Sequence, residues 1–172
     1  MRNFVLTAIA AALGISVVAA QQAENMPNQV TNIRLGDVRV RYLNFKWDEE
    51  GFEALEKGSA TGGWAIARLF PAKPIKLDGR RVSGGNLLIL NPASGDTPMT
   101  WEVRVVNMRE VWVNPNFVAE PPEGETIYTT AAEFKKVSDV AERLELALSD
   151  ADGKIQLAIH YGNRRATLAF DR

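Results

Sequence analysis

Histidine occurs once in this chain, at position 160, and cysteine does not occur at all. Those two counts remove whole branches of chemistry. The common zinc centres draw several ligands from these two residue types, and the chain cannot supply them. A Cys–His nucleophile has no thiol. A Ser–His–Asp arrangement would have to bring Ser83 or Ser138 to His160, and no G-x-S-x-G elbow supports it. The glycine-rich run Gly58-Ser59-Ala60-Thr61-Gly62-Gly63 lacks the lysine and the strand–helix context of a phosphate cradle, so it reads as a loop. No cofactor is expected.

The remaining chemistry belongs to carboxylates and aromatic rings. Glu49 and Glu50 can pair with Glu120, Glu123 or Glu125 as the two acids of glycoside cleavage. They also sit where a helix's first turn favours acids, and their spacing does not demand catalysis. Asp150-Ala151-Asp152-Gly153 hints at calcium, as in an adhesion module, but the spacing departs from an EF-hand and no glutamate closes it. It reads more simply as a turn. Of the four tryptophans, Trp101 belongs to an alternating strand and is expected in the core. Trp112 points opposite to Val111 and Val113. With Phe117, and with Trp47 elsewhere, it offers an aromatic surface for a sugar ring or a peptide.

Strands are the elements that must position these groups. Val38, Val40 and Tyr42 alternate with Asp37, Arg39 and Arg41, and Trp101, Val103 and Val105 alternate with Glu102 and Arg104. Leu87 to Leu90 is a short apolar run of the kind covered on both faces. A weaker strand runs from Ala65 to Phe70 and stops at Pro71. Two short helices are expected. Asp48 caps one that carries Phe52 and Leu55 and ends at Gly58. Thr130 to Glu133 is a capping box opening the other, through Lys136. From Val113 to Thr126, Asn, Pro and Gly predict a long loop.

The last third is constrained by pairing arithmetic. With Gly162-Asn163 as a type II′ turn, Ile155, Leu157 and Ile159 face Phe170, Leu168 and Ala166, while His160 faces Arg165 on the opposite side. A four-residue loop Asp150–Gly153 then sets Leu148, Leu146 and Leu144 opposite Ile155, Leu157 and Ile159. Three strands thereby share one aliphatic face, and His160 lands on the outer one beside a turn. A tight turn at Gly36-Asp37 would set Arg34 against Arg39; a bulged loop, or strands in different sheets, is expected instead. An aliphatic face of this size needs a cover larger than two short helices, so the expected fold is all-β, an antiparallel sandwich over 30–172.

The N-terminus sets the compartment. Met1-Arg2-Asn3, an apolar run to Ala20 and the small residues Val18-Ala19-Ala20 form a secretory signal peptide; a retained anchor is the alternative. Residues 21–29 are a polar, flexible lead-in. No later apolar stretch reaches the ~18 residues of a membrane span. A periplasmic or secreted location follows, with no stable membrane insertion after cleavage. The chain carries 20 Lys and Arg against 21 Asp and Glu, and its arginines (34, 39, 41, 80 and 81 among them) interleave with apolar residues as on the solvent side of strands. Nucleic acid, which needs a concentrated basic face, is not an expected partner.

From about Ile75 onward the chain resembles a bacterial exported family catalogued only as a domain of unknown function, number 2911. The matching stretches are "IKLDGRRVSGGNLLIL", "TWEVRVVN" and "VAERLELAL" with Leu157-Ala158-Ile159-His160-Tyr161-Gly162. The family's W-R-x-G-A-N-E stretch has no counterpart, since Trp64 is followed by Ala65-Ile66-Ala67. The resemblance implies an exported β-sandwich and no particular chemistry. The expected function is a non-catalytic envelope module that binds a protein or a glycan, with a carboxylate-based glycan-active enzyme as the alternative.

Overall fold

The computed structural model describes residues 28–106 and 121–172. The expected signal segment 1–20, nearly all of the lead-in, and Trp112, Phe117 and Glu120 lie outside the described residues. In chain order the elements are β1 (Val30–Leu35), β2 (Val38–Leu43), α1 (Glu49–Lys57), β3 (Trp64–Pro71), β4 (Ile75–Leu77), β5 (Arg80–Val82), β6 (Asn86–Asn91), β7 (Thr100–Val105), β8 (Glu125–Ala131), β9 (Lys135–Ala151) and β10 (Lys154–Asp171). They form a six-stranded sheet, β1-β2-β3-β6-β7-β8, and a four-stranded sheet, β5-β4-β10-β9. Every pairing is antiparallel. The expected β-sandwich is what forms.

Alternation and burial agree along the strands. Val38, Val40 and Tyr42 are buried and Arg39 is exposed. Leu87 to Leu90, central in their sheet between β3 and β7, are sealed on both faces, none above 1% exposed. From the other sheet, Leu144, Leu146, Ile155, Leu157, Ile159, Leu168 and Phe170 join the same apolar cluster. Burying such side chains is worth roughly 1.5–3 kcal/mol each, and that is what holds the layers together. The sheets also meet at one corner, where Leu144 N–H donates to Phe45 O (2.9 Å) and Trp47 N–H donates to Glu142 O (2.8 Å).

The C-terminal meander forms, with β10 doubling back inside its own length. Lys154 Nζ lies 3.1 Å from Asp171 Oδ1, and Arg165 lies 3.4 Å from His160 Nδ1. An uninterrupted strand would hold Lys154 and Asp171 more than about 50 Å apart. The reversal is at Gly162-Asn163, where Gly162 has φ +57° and Asn163 does not share that sign, as a type II′ turn requires. Both contacts fit the predicted register, and Ile155, Leu157, Ile159, Ala166, Leu168 and Phe170 are all buried as it demands.

Four expectations need correction. The β9–β10 turn has two residues rather than four: Ala151 pairs with Lys154, and Asp152 and Gly153 both take positive φ. Leu148 therefore faces Leu157, and Leu146 faces Ile159. The shift is two positions, so it preserves which face each leucine occupies. Second, Thr130 to Lys136 is no helix; the chain passes from β8 into β9 through Ala132–Phe134. The run Thr126-Ile127-Tyr128-Thr129-Thr130, β-branched but for the aromatic Tyr128, pairs with β7, and that pairing outweighs the local capping signal. Thr126 and Glu125 are strand for the same reason, not loop.

Third, β1 and β2 do close through Gly36-Asp37, with Arg34 directly opposite Arg39. Each guanidinium finds its own partner. Arg34 Nε donates to Gly36 O at 2.7 Å, and Arg39 lies over the Phe70 ring, 4.8 Å from its centroid. Fourth, the alternation of β7 breaks between Val103 and Arg104. Val105 is left 42% exposed, while Glu102, expected in solvent, is buried.

Candidate functional site

Trp47 sits where the sheets and the helix converge. Asp48 accepts a hydrogen bond from Gly51 N–H and starts α1, Gly58 ends it, and Phe52 and Leu55 are buried beneath. The Trp47 ring is half-buried, 4.6 Å from the Tyr161 centroid and 5.5 Å from that of Phe52. Phe45, Trp64 and Phe134 complete the cluster. The indole also lies directly on Gly162, where an added Cβ would fall inside the van der Waals shell of the ring. Tyr161 ties the cluster together: its hydroxyl donates to Lys46 O (2.6 Å) and accepts from Asp48 N–H (2.9 Å). Burial pushes this phenol's pKa far up, so it stays a donor at any ordinary pH. Arg164 adds a two-pronged bond to Glu56 of the helix, at 3.0 and 3.1 Å.

His160 lies on the outer face of the meander, as its alternation required. Its Nε2 is 3.4 Å from Asp139 O, and its Nδ1 is 3.4 Å from Arg165 and 3.9 Å from Glu145 Oε2. Arg165 is also bonded to the Asp139 carboxylate. No hydrogen bond joins the imidazole to Ser83 or Ser138 among the described residues. Glu145 pairs with His160 across the β9–β10 ladder, and Arg165, itself opposite Lys135, reaches the same imidazole with its side chain. The next outward pair is Ala147 and Ala158, with Thr167 beside them in the lining. Together with Glu145, His160 and Arg165 they line a groove of about 320 Å³.

A second groove of about 340 Å³ opens between the sheets, with Trp101 and Tyr128 on one side, Leu168 and Asp171 on the other, and Asp78 and Glu133 at its lining. Asp171 is engaged by Lys154. The acids singled out in the sequence that fall among the described residues are not here. Glu49 and Glu50 stand exposed on the first turn of α1, and Glu123 and Glu125 stand exposed at the start of β8. Asp150 is bonded to Arg172, and among the described residues no group of acids and histidine could hold a metal ion.

The one buried acid among the described residues is Glu102. Arg104 bonds both of its oxygens (2.6 and 3.0 Å), Thr126 donates to Oε1 (2.6 Å) and Asn91 to Oε2 (2.8 Å). Burial alone would raise its pKa. The hydrogen bonds from Arg104, Thr126 and Asn91 outweigh burial and hold the carboxyl below its ordinary value. A carboxylate saturated in this way has no lone pair left for a substrate proton. Sequence reasoning placed Glu102 in solvent; the Glu102-x-Arg104 spacing on one strand face was the signal available, and the bulge after Val103 was not legible.

No helix among the described residues is long and apolar enough to cross a membrane. Compared with known proteins, the chain matches no family model, no curated protein and no solved structure.

Proposed function

We propose that this antiparallel β-sheet protein is an exported, non-catalytic module of the bacterial cell envelope that binds an envelope protein or a glycan. The observation that carries the reading is the state of its acids. Glu102 is saturated, and Glu56, Asp139, Asp150 and Asp171 are each held by a basic side chain. Catalysis by carboxylates needs an acid free to exchange a proton with substrate; Glu102 is occupied by the protein's own donors, and the other four are engaged by basic side chains. The features of Met1 to Ala20 support export to the periplasm or beyond, and the resemblance of Ile75 onward to family number 2911 belongs to the same reading. Two measurements test it. The protein recovered from the periplasm is expected to begin at Gln21 by mass spectrometry. Hydrolase profiling of that material is expected to find no turnover; metal-independent turnover would overturn the reading.

A carboxylate-based glycan-active enzyme is the second reading, and the groove between the sheets favours it by bringing Asp78 and Glu133 to one opening. Glycosidase activity lost in both Asp78→Asn and Glu133→Gln would establish it.

A further inference from the structure

We infer that the groove on the outer face of the β9–β10 meander is a binding site for a neutral, hydroxyl-rich ligand of saccharide type, gripped by Glu145 and Arg165 on either side of His160. The inference rests on the binding-module reading and specifies its ligand. The first support is the choice of floor residues. Ala147 and Ala158 are exposed and face one another across the ladder. Alanine is depleted in strands, and an Ala–Ala pair is the baseline above which other cross-strand pairs stabilise a sheet. Core packing does not select alanine at solvent-facing positions, yet its small side chain is what makes the hollow. Alanine methyls and flat backbone form a thin apolar floor on which the C–H face of a sugar ring can lie.

Size and charge narrow the ligand. About 320 Å³ is at the lower end of small-molecule clefts, room for one or two sugar-sized units. The charged groups facing His160 are Glu145 and Asp139 from β9 and Arg165 from β10. Two carboxylates, one guanidinium and the exposed Lys135 opposite Arg165 leave the rim balanced in charge, which favours neither an anion nor a cation. Neighbouring hydroxyls that both donate and accept satisfy such a rim, giving protons to Glu145 and taking them from Arg165. The grip is partly organised in advance. Asp139 holds Arg165, the His160 side chain is 15% exposed, and Glu145, 69% exposed, is free to swing onto a ligand.

The test is a titration of the isotope-labelled full chain, followed by amide NMR. The probes are cellobiose, maltose and chitobiose, with glucuronic acid and glucosamine as charged counterparts. At least one neutral disaccharide is expected to shift the amides of Ala147, Ala158, His160 and Thr167 at roughly millimolar concentration, and at least tenfold more tightly than either charged sugar. Ala158→Leu fills the hollow at an exposed position; it is expected to abolish the shifts and leave the melting temperature nearly unchanged. Glu145→Gln is expected to weaken binding about tenfold. The inference is overturned if no neutral probe moves these amides, or if Ala158→Leu binds as well as the parent. Co-sedimentation with isolated envelopes separates it from the broader reading. Retention of Ala158→Leu would sink the groove and spare the binding module. Failure of the parent protein to be retained would sink the module, and the saccharide shifts would still decide the groove.

Discussion

Two polar clusters, one on each sheet, are made from nearly the same side chains and end in opposite states. On the six-stranded sheet, Glu102 meets Arg104, Thr126 and Asn91, and is 5% exposed. On the four-stranded sheet, Glu145 and Asp139 meet His160 and Arg165 beside a groove open to solvent. The first has every acceptor occupied by the protein's own donors, so it is a rivet. The second leaves Glu145 and part of Arg165 unsaturated. An acid–base pair thus becomes a candidate site through the room its neighbours leave it, and residue type alone does not decide.

The comparison can be broken from the buried side first. Glu102→Ala leaves the partly buried Arg104 with Pro122 O and no counter-charge, and a loss of about 3 kcal/mol is expected in urea unfolding. A loss below about 1 kcal/mol would mean that the network is not sealed. Gly162→Ala attacks the turn that places His160 against Arg165. The left-handed backbone costs about 1–2 kcal/mol for an alanine, and overpacking against Trp47 costs about as much again. A total of about 2–4 kcal/mol is expected, together with altered His160 resonances.

Acid sharpens the contrast. The pKa of Glu102 is depressed in the folded state, so its contribution is complete above its ordinary value and is lost as the pH falls through the depressed one. Glu102→Gln is therefore expected to flatten the fall in stability below about pH 4.5, as read by urea unfolding across the acid range. Arg165→Ala is the smallest case. Its pair with Asp139 is about half exposed on both sides, so less than about 1 kcal/mol of stability is at stake. A larger loss would place this cluster with the rivets.

Face assignment was legible in the sequence where one face is aliphatic. The leucines of β9 and the paired rows of β10 admit one arrangement, because a single-position slip would expose them all; that is why a two-position error in the β9–β10 turn left His160 on the correct side. Local signals failed where a partner strand overrode them. Thr130 to Glu133 carries a good capping box, but β7 was waiting for those residues. Arg34 against Arg39 looked unfavourable because Phe70 and Gly36 O, which relieve the charges, lie elsewhere in the chain or on its backbone. The candidate groove was half legible. The approach of Arg165 to His160 and of Thr167 to Ala158 in one groove fits the predicted turn, whereas Glu145 and Asp139 are brought there by β9. Trp47, chosen as a binding surface, lies half-buried against Gly162 and Tyr161; Trp112 and Phe117 are outside the described residues.

The hydroxyl of Tyr161 fastens a segment 113 to 115 residues earlier in the chain. Helix α1 and the corner after β2 therefore lack their anchor until β10 has been synthesised and turned back. Joining such distant segments early carries a large loop-closure penalty, which slows β-rich folds. During synthesis, α1 and that corner therefore stay provisional until the last strand arrives to lock them.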